Sequence, residues 1–217
     1  LVCRSASVGM AMSVDRKEHW DTVYGKTPET SLSWHQDDPT VSLDLIRMAG
    51  IPRGASVIDI GGGMSRFTDA VLAMGLRDVT ILDLSQVALD AARDRLGPAG
   101  GSLTWLCKDI TTWSPTRQYD LWHDRAVFHF LTDPADRAAY IESLTRAVRI
   151  DGHAIIATFA PDGPDRCSGL PVVRYSPENI AVLLADSFAP VAHRRHLHQT
   201  PKGAEQAFQF SLIRRVG

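Results

Sequence analysis

Short apolar runs bounded by turn signals alternate with segments of helical period along most of the chain, which predicts a parallel sheet covered by helices on both faces. Ser13-Val14-Asp15-Arg16 starts a short N-terminal helix, and Pro39 opens a second from Thr40 to Ala49 that stops at Gly50. Ala55 to Ile60 reads as a buried strand, followed by Gly61-Gly62-Gly63 and a helix from Ser65 to Met74 closed by Gly75. A second strand, Val79 to Asp83, leads to a helix that Ser85 can cap and that ends at Leu96 before Gly97-Pro98. The remaining expected elements are strands Leu103 to Cys107 and Tyr119 to His123, a helix Pro134 to Arg149, a strand His153 to Phe159 and a helix from Ser176 to about Ala185. Phe188 to Gln199 and Gln206 to Arg214 are two β-rich stretches, and Thr200-Pro201-Lys202-Gly203 between them suits a hairpin loop. Residues 13–217 thus read as one domain whose first part, 13–50, supplies lid helices. Residues 1–12 read as a mobile tail, and Met10 and Met12 leave room for them to be an upstream extension.

Composition narrows the class. With 217 residues, 44% of them hydrophobic and 22% charged, the chain can bury one sizeable core. A formal net charge of -2 supplies no global attraction to nucleic acid or to an anionic membrane. The cysteines at 3, 107 and 167 are too sparse for a disulfide framework or a C-x-x-C metal site, which favours a reducing, cytoplasmic setting and no metal. There is no apolar stretch of about 18 residues to span a bilayer, and the apolar run within Leu1–Met12 is too short to be expected to serve as a secretory h-region.

In an open α/β sheet, ligands gather where the loops after the central strands meet. Asp59-Ile60-Gly61-Gly62-Gly63 lies there, between a strand and a helix, and its glycines permit a tight turn and close ligand approach. Arg66 occupies the position where the dinucleotide fingerprint needs a small residue, and no phosphate-loop lysine motif occurs, so neither a nicotinamide or flavin dinucleotide nor a nucleoside triphosphate is favoured. Asp83 ends the second strand near the ~20-residue offset of a ribose-binding acid. It can accept ribose hydroxyls or cap the following helix.

Asp59-Ile60-Gly61-Gly62-Gly63, Asp83-Leu84-Ser85, Lys108-Asp109-Ile110 and Tyr119-Asp120-Leu121-Trp122-His123-Asp124-Arg125, in this order and at these strand ends, resemble the successive motifs of class I S-adenosylmethionine-dependent methyltransferases over roughly residues 15–215. The resemblance implies a Rossmann-like, doubly wound sheet of order 3-2-1-4-5-7-6 with an antiparallel last strand, and S-adenosylmethionine as methyl donor. It implies that Gly61, Gly62 and Gly63 cradle the donor's amino-acid part, with Asp59 near its ammonium and Asp83 on the ribose. Leu84 packs on the adenine, Asp109 accepts from its amine or is a surface turn acid, and Ile110 offers a backbone amide. His123, Asp124 and Arg125 fall beside the transferable methyl. His129 stands where many relatives carry two histidines, but Phe130 breaks that pair, so His129 is either a general base or a packing residue.

Aromatic residues precede the first strand, and aromatic faces stabilise a sulfonium within about 6 Å. Trp34 reads as a lid over the donor, and Trp20 as a lid or acceptor contact or as the helix-face partner of Tyr24. Phe159 and the loop 160–171, with Cys167, fall at the acceptor side. Cys167 is either an acceptor contact or an inert turn cysteine. His193, His196 and His198 with Arg194 and Arg195 form a basic patch that reads as a solvated strand face. The expected function is methylation of a small molecule at sulfur, nitrogen or oxygen. Protein lysine methylation and a non-catalytic methyltransferase-like binding module are the alternatives.

Overall fold

Alternation along single strands decides which face each residue covers. In β1 (Ser56–Ile60), Val57 packs with helices on one face while Ile58 and Ile60 join the core on the other, as the two-residue period of a doubly covered strand requires. The computed structural model, which describes residues 15–217, extends this to one seven-stranded sheet. β2 (Asp78–Asp83), β3 (Thr104–Cys107), β4 (Tyr119–Arg125) and β5 (Val148–Phe159) run parallel to β1, while β9 (Glu205–Arg215) is antiparallel to both β5 and β8 (Phe188–Gln199). The order is β3-β2-β1-β4-β5-β9-β8, the 3-2-1-4-5-7-6 arrangement expected when β8 and β9 count as the sixth and seventh strands. What was expected of residues 1–12, and the start of the first helix at Ser13, lie outside the described residues.

One face is covered by α2 (Thr40–Met48), α3 (Phe67–Ala73) and α4 (Gln86–Leu96), which contribute Leu45, Phe67, Val71 and Leu89 to a core shared with Phe208 and Phe210 of β9. On the other, α5 (Pro134–Ala147) and α6 (Pro177–Leu183) pack Tyr140, Leu144 and Ile180 against Trp122 and Ile156. α1 (Arg16–Lys26) lies over α4 with no buried residue of its own. A helix so weakly packed depends on its ends, where Asp15 accepts the Lys17 and Glu18 amides.

Three departures from expectation have local reasons. α3 starts at Phe67, two residues late, because the Ser65 hydroxyl accepts the Phe67 amide at 3.1 Å. α5 ends at Ala147 because Val148 already pairs with Tyr119, and the register shift beyond that pair is absorbed near Asp151, held in the left-handed region at φ 63°. Within the loop 160–171 a two-stranded hairpin forms, β6 (Arg166–Cys167) against β7 (Leu170–Pro171), its turn made by Ser168 and Gly169 at φ 50° and 79°. Two consecutive positive φ values suit the twist of a two-residue hairpin.

Candidate active site

The strand ends that topology singles out surround a cavity of roughly 870 Å³, mouth included, lined by Gly61, Asp83, Leu84, Asp109, Ile110 and residues of α1. Gly61 sits at φ 66° and donates to the Leu82 carbonyl at 2.7 Å, and a side chain there would meet Val127 Cγ2 at 2.2 Å. Gly63 donates to Asp83 Oδ2 at 3.0 Å, and the Ser85 amide donates to Oδ1 at 2.8 Å. Asp83 is therefore clamped by backbone with lone pairs left over. Burial pushes its carboxyl up to about 6, against the opposing pull of those amides. Ser85 also caps α4 through the Ala88 amide and donates its hydroxyl to Asp21 at 2.6 Å, which fastens α1 beside the site.

A second constellation lies beneath the glycine turn. Register places Asp59 beside His123, and Nδ1 of His123 meets Asp59 Oδ1 at 2.7 Å while Nε2 meets the Ser42 hydroxyl at 2.9 Å. The imidazole is stacked on Phe67 with centroids 3.6 Å apart. All three polar side chains are buried, and Asp59 Oδ2, 2.5 Å from where a Gly62 side chain would begin, has no partner. Such an orphaned oxygen can receive a cation delivered at the turn.

Asp124 turns away from the cavity. Its Oδ1 accepts the Val127 amide at 2.8 Å, and its Oδ2 accepts the Phe128 amide at 3.0 Å and the Tyr140 hydroxyl at 2.6 Å. Burial pushes this carboxyl up to about 6 as well. His129 is also fully buried, its Nδ1 accepting the Phe159 amide at 3.3 Å, and burial followed by the Arg125 charge pushes it down to about 3. Phe159 is a core residue packed on His129 and Phe208. Neither His129 nor Phe159 lines the cavity. Asp109 lines it while accepting both the amide and the hydroxyl of Thr111, at 2.8 and 2.7 Å.

The wall opposite the strand ends is aromatic. Trp20 lies 5.9 Å from Tyr24, 5.7 Å from Trp34 and 5.1 Å from Phe130, so it is at once a helix-face contact and part of the cavity wall. Cys167 joins this wall from β6, its thiol pushed up to about 11 by burial. Tyr24, Phe130 and Phe208 complete it and were not anticipated as site residues. For Tyr24 the signal was its helical spacing from Trp20, whereas nothing local marks Phe208, which arrives from the last strand.

Comparisons with known proteins bear on the fold. Residues 57–152 match a family model described as a methyltransferase domain. A search of the curated proteins found no match. The fold is similar to that of 1,6-didemethyltoxoflavin-N1-methyltransferase from Burkholderia thailandensis, solved with bound 1,6-didemethyltoxoflavin and S-adenosylhomocysteine (23% identity, 93% of this chain and 87% of that one, TM-score 0.70). It is similar also to an S-adenosylmethionine-dependent methyltransferase from Anabaena variabilis (17% identity, 94% and 96%, TM-score 0.73). A third similar structure is the N-methyltransferase NodS from Bradyrhizobium japonicum with S-adenosyl-L-homocysteine (17% identity, 83% and 89%, TM-score 0.63).

Proposed function

We propose that this chain, whose residues 57–152 match a methyltransferase domain, moves a methyl group from S-adenosylmethionine to a nucleophilic sulfur, nitrogen or oxygen of a small molecule. The observation that carries this reading is Asp83, clamped by the amides of Gly63 and Ser85 at the rim of the cavity beside Gly61. A carboxylate fixed in this way can take both ribose hydroxyls without reorganising. The residues present fit the rest of such a donor. The unpartnered Asp59 Oδ2 under the turn suits an ammonium, Leu84 and Ile110 offer an apolar slot for a purine, and the aromatic wall suits a sulfonium.

When bound, the donor supplies an already activated methyl group on sulfur, so the protein's work is alignment and the exclusion of water. Trp20, Tyr24 and Trp34 wall the cavity off, and Asp21 holds α1 on Ser85 in that position. The acceptor side is a concave, mostly aromatic-walled recess rather than a flat face, which supports a small acceptor over a protein surface. The test is incubation with methyl-labelled donor and either a metabolite panel or cell-protein extract. Label is expected in small-molecule fractions. Label in protein bands alone would replace this reading with protein methylation, and absence of donor binding would remove it.

A further inference from the structure

Several arginines around the cavity are matched to acids, and others, such as Arg166 and Arg174, are exposed to water. Arg95 bridges Glu29 and Asp69 at 3.2 and 2.7 Å, Arg66 meets Glu29 at 2.6 Å, and Arg16 meets Asp136 at 3.0 Å. Arg125, at the end of β4, has no carboxylate within 4.0 Å among the described residues. Its single hydrogen bond runs from Nη1 to the Trp34 carbonyl at 2.9 Å, its guanidinium lies 5.1 Å from the Phe208 ring centroid, and its buried Nε and Nη2 have no partner. It lines the cavity beside Trp34, Phe130 and Cys167.

We infer that Arg125 is the anion receptor of the acceptor pocket, and that the acceptor carries a carboxylate or another oxyanion on an aromatic or similarly flat apolar body. This rests on the donor reading above. A buried guanidinium with free donors is unfavourable until an anion meets it, and its planar fork matches a carboxylate. Asp59 and Glu29 line an adjoining pocket that Arg125 also borders, but neither comes within 4.0 Å of its guanidinium. The groups whose protonation feels the Arg125 charge are Cys167, His129, His196 and His198, and none is a carboxylate. The cavity's own acids, Asp83 and Asp109, stand beyond β2 and β3, on the far side of β1 from β4.

Charge bookkeeping in the pocket points the same way. With a sulfonium bound, a neutral amine would leave a cationic product beside Arg125. An anionic nucleophile instead contributes the electron pair of the new bond to the methyl carbon, while the pair of the broken bond stays on the donor sulfur. The donor sulfur and the attacking group both end neutral, and no proton has to be placed. No histidine lines the cavity among the described residues, His129 being buried away from it, and its carboxylates Asp83 and Asp109 stand at the ends of β2 and β3 rather than beside Arg125.

The same guanidinium could meet the donor's own carboxylate, and the experiment separates the two sources. The full chain, saturated with S-adenosylhomocysteine, is titrated with matched aromatic pairs, phenylacetate against phenylacetamide and indole-3-acetate against its amide, followed by tryptophan fluorescence. Each carboxylate is expected to bind at least ten-fold tighter than its amide, with the preference lost in Arg125→Met and partly kept in Arg125→Lys. S-adenosylhomocysteine affinity should stay within two-fold, and ligand-free Arg125→Met should melt at a higher temperature because an unmatched buried charge is gone. Equal binding of acid and amide, no carboxylate binding at all, or a preference that survives in Arg125→Met overturns the inference. So does a ten-fold loss of S-adenosylhomocysteine with 5′-methylthioadenosine, which lacks the carboxylate, unaffected, for then Arg125 serves the donor. If Arg125→Met fails to fold, Arg125→Lys and the wild-type pairs decide. Failure of the wild-type chain to bind S-adenosylhomocysteine would instead overturn the donor reading itself.

Discussion

Asp83 joins conformation and chemistry in one side chain, because the amides that fix it also hold the glycine turn in place. Replacing it by alanine is expected to weaken S-adenosylhomocysteine binding by about 1–3 kcal/mol, or about 5- to 150-fold, measured by calorimetry. Unchanged affinity in a folded Asp83→Ala protein would remove the main support for the donor assignment. Its carboxyl, raised to about 6, must be ionised to accept both hydroxyls. Donor affinity should therefore level off above that pH and fall below it by up to about ten-fold per unit, whereas Asp83→Asn should bind weakly and without this dependence. Cys167 is a contrasting case at the same cavity. With its thiol raised to about 11 it is protonated at neutral pH, so alkylation should be slow and Cys167→Ser should keep donor affinity. A lost donor site in that variant would mean the β6–β7 hairpin belongs to the donor's half of the cavity.

At the scale of elements, the turn after β4 decides how the cavity is walled. Ala126 is held at φ 74°, an unfavourable conformation for a non-glycine residue, and Asp124 stabilises it by accepting from Val127, Phe128 and Tyr140 at once. Position beside the transferable methyl was expected of Asp124 from the order of motifs, and its hydrogen bonds instead tie β4 to α5. Asp124→Ala, which strands three buried donors, is expected to cost on the order of 3 kcal/mol or more, and Tyr140→Phe about 1–3 kcal/mol, both read from urea denaturation. A cost under about 0.5 kcal/mol for Asp124→Ala, the level of an ordinary surface change, would show that the turn holds without it.

Over the whole molecule, the buried titratable groups oppose one another. Asp83 and Asp124 have folded values near 6, above their unfolded ones, so the stability each contributes is full below about pH 4 and is lost as pH rises through about 6. His129, lowered to about 3, contributes stability that is full above its unfolded value of about 6.5 and is lost as pH falls toward 3. His153, His196 and His198, lowered mainly by partial burial, lean the same way. Between pH 7 and 5 the acids should add about 1 kcal/mol each and His129 should remove about 2. His129→Gln is therefore expected to become relatively more stable than wild type as pH falls to 5, and Asp124→Asn relatively less, in urea titrations across that range. Identical pH slopes in all three proteins would place these groups in contact with solvent.

The strands themselves and the cavity's place at the ends of β1, β2 and β4 follow from patterns a few residues long, whereas the strand order was implied by the resemblance of the motifs. Such patterns are local because strand period, glycine tolerance and helix capping act between near neighbours, and Ser85 capping α4 was legible for that reason. The Ser168-Gly169 turn was written in the chain too, as a small-glycine pair able to take positive φ, but its strands are too short for any periodicity to reveal. Only the tertiary structure decided the partners of the charged residues. Ser42, Asp59 and His123 meet across α2, β1 and β4, Phe208 reaches the cavity wall from the final strand, and Arg125 is left without an acid. Whether a buried charge is matched depends on which distant side chains the fold brings within about 4 Å, since only at that distance can hydrogen bonds offset the desolvation of both charges, and no local pattern encodes that distance.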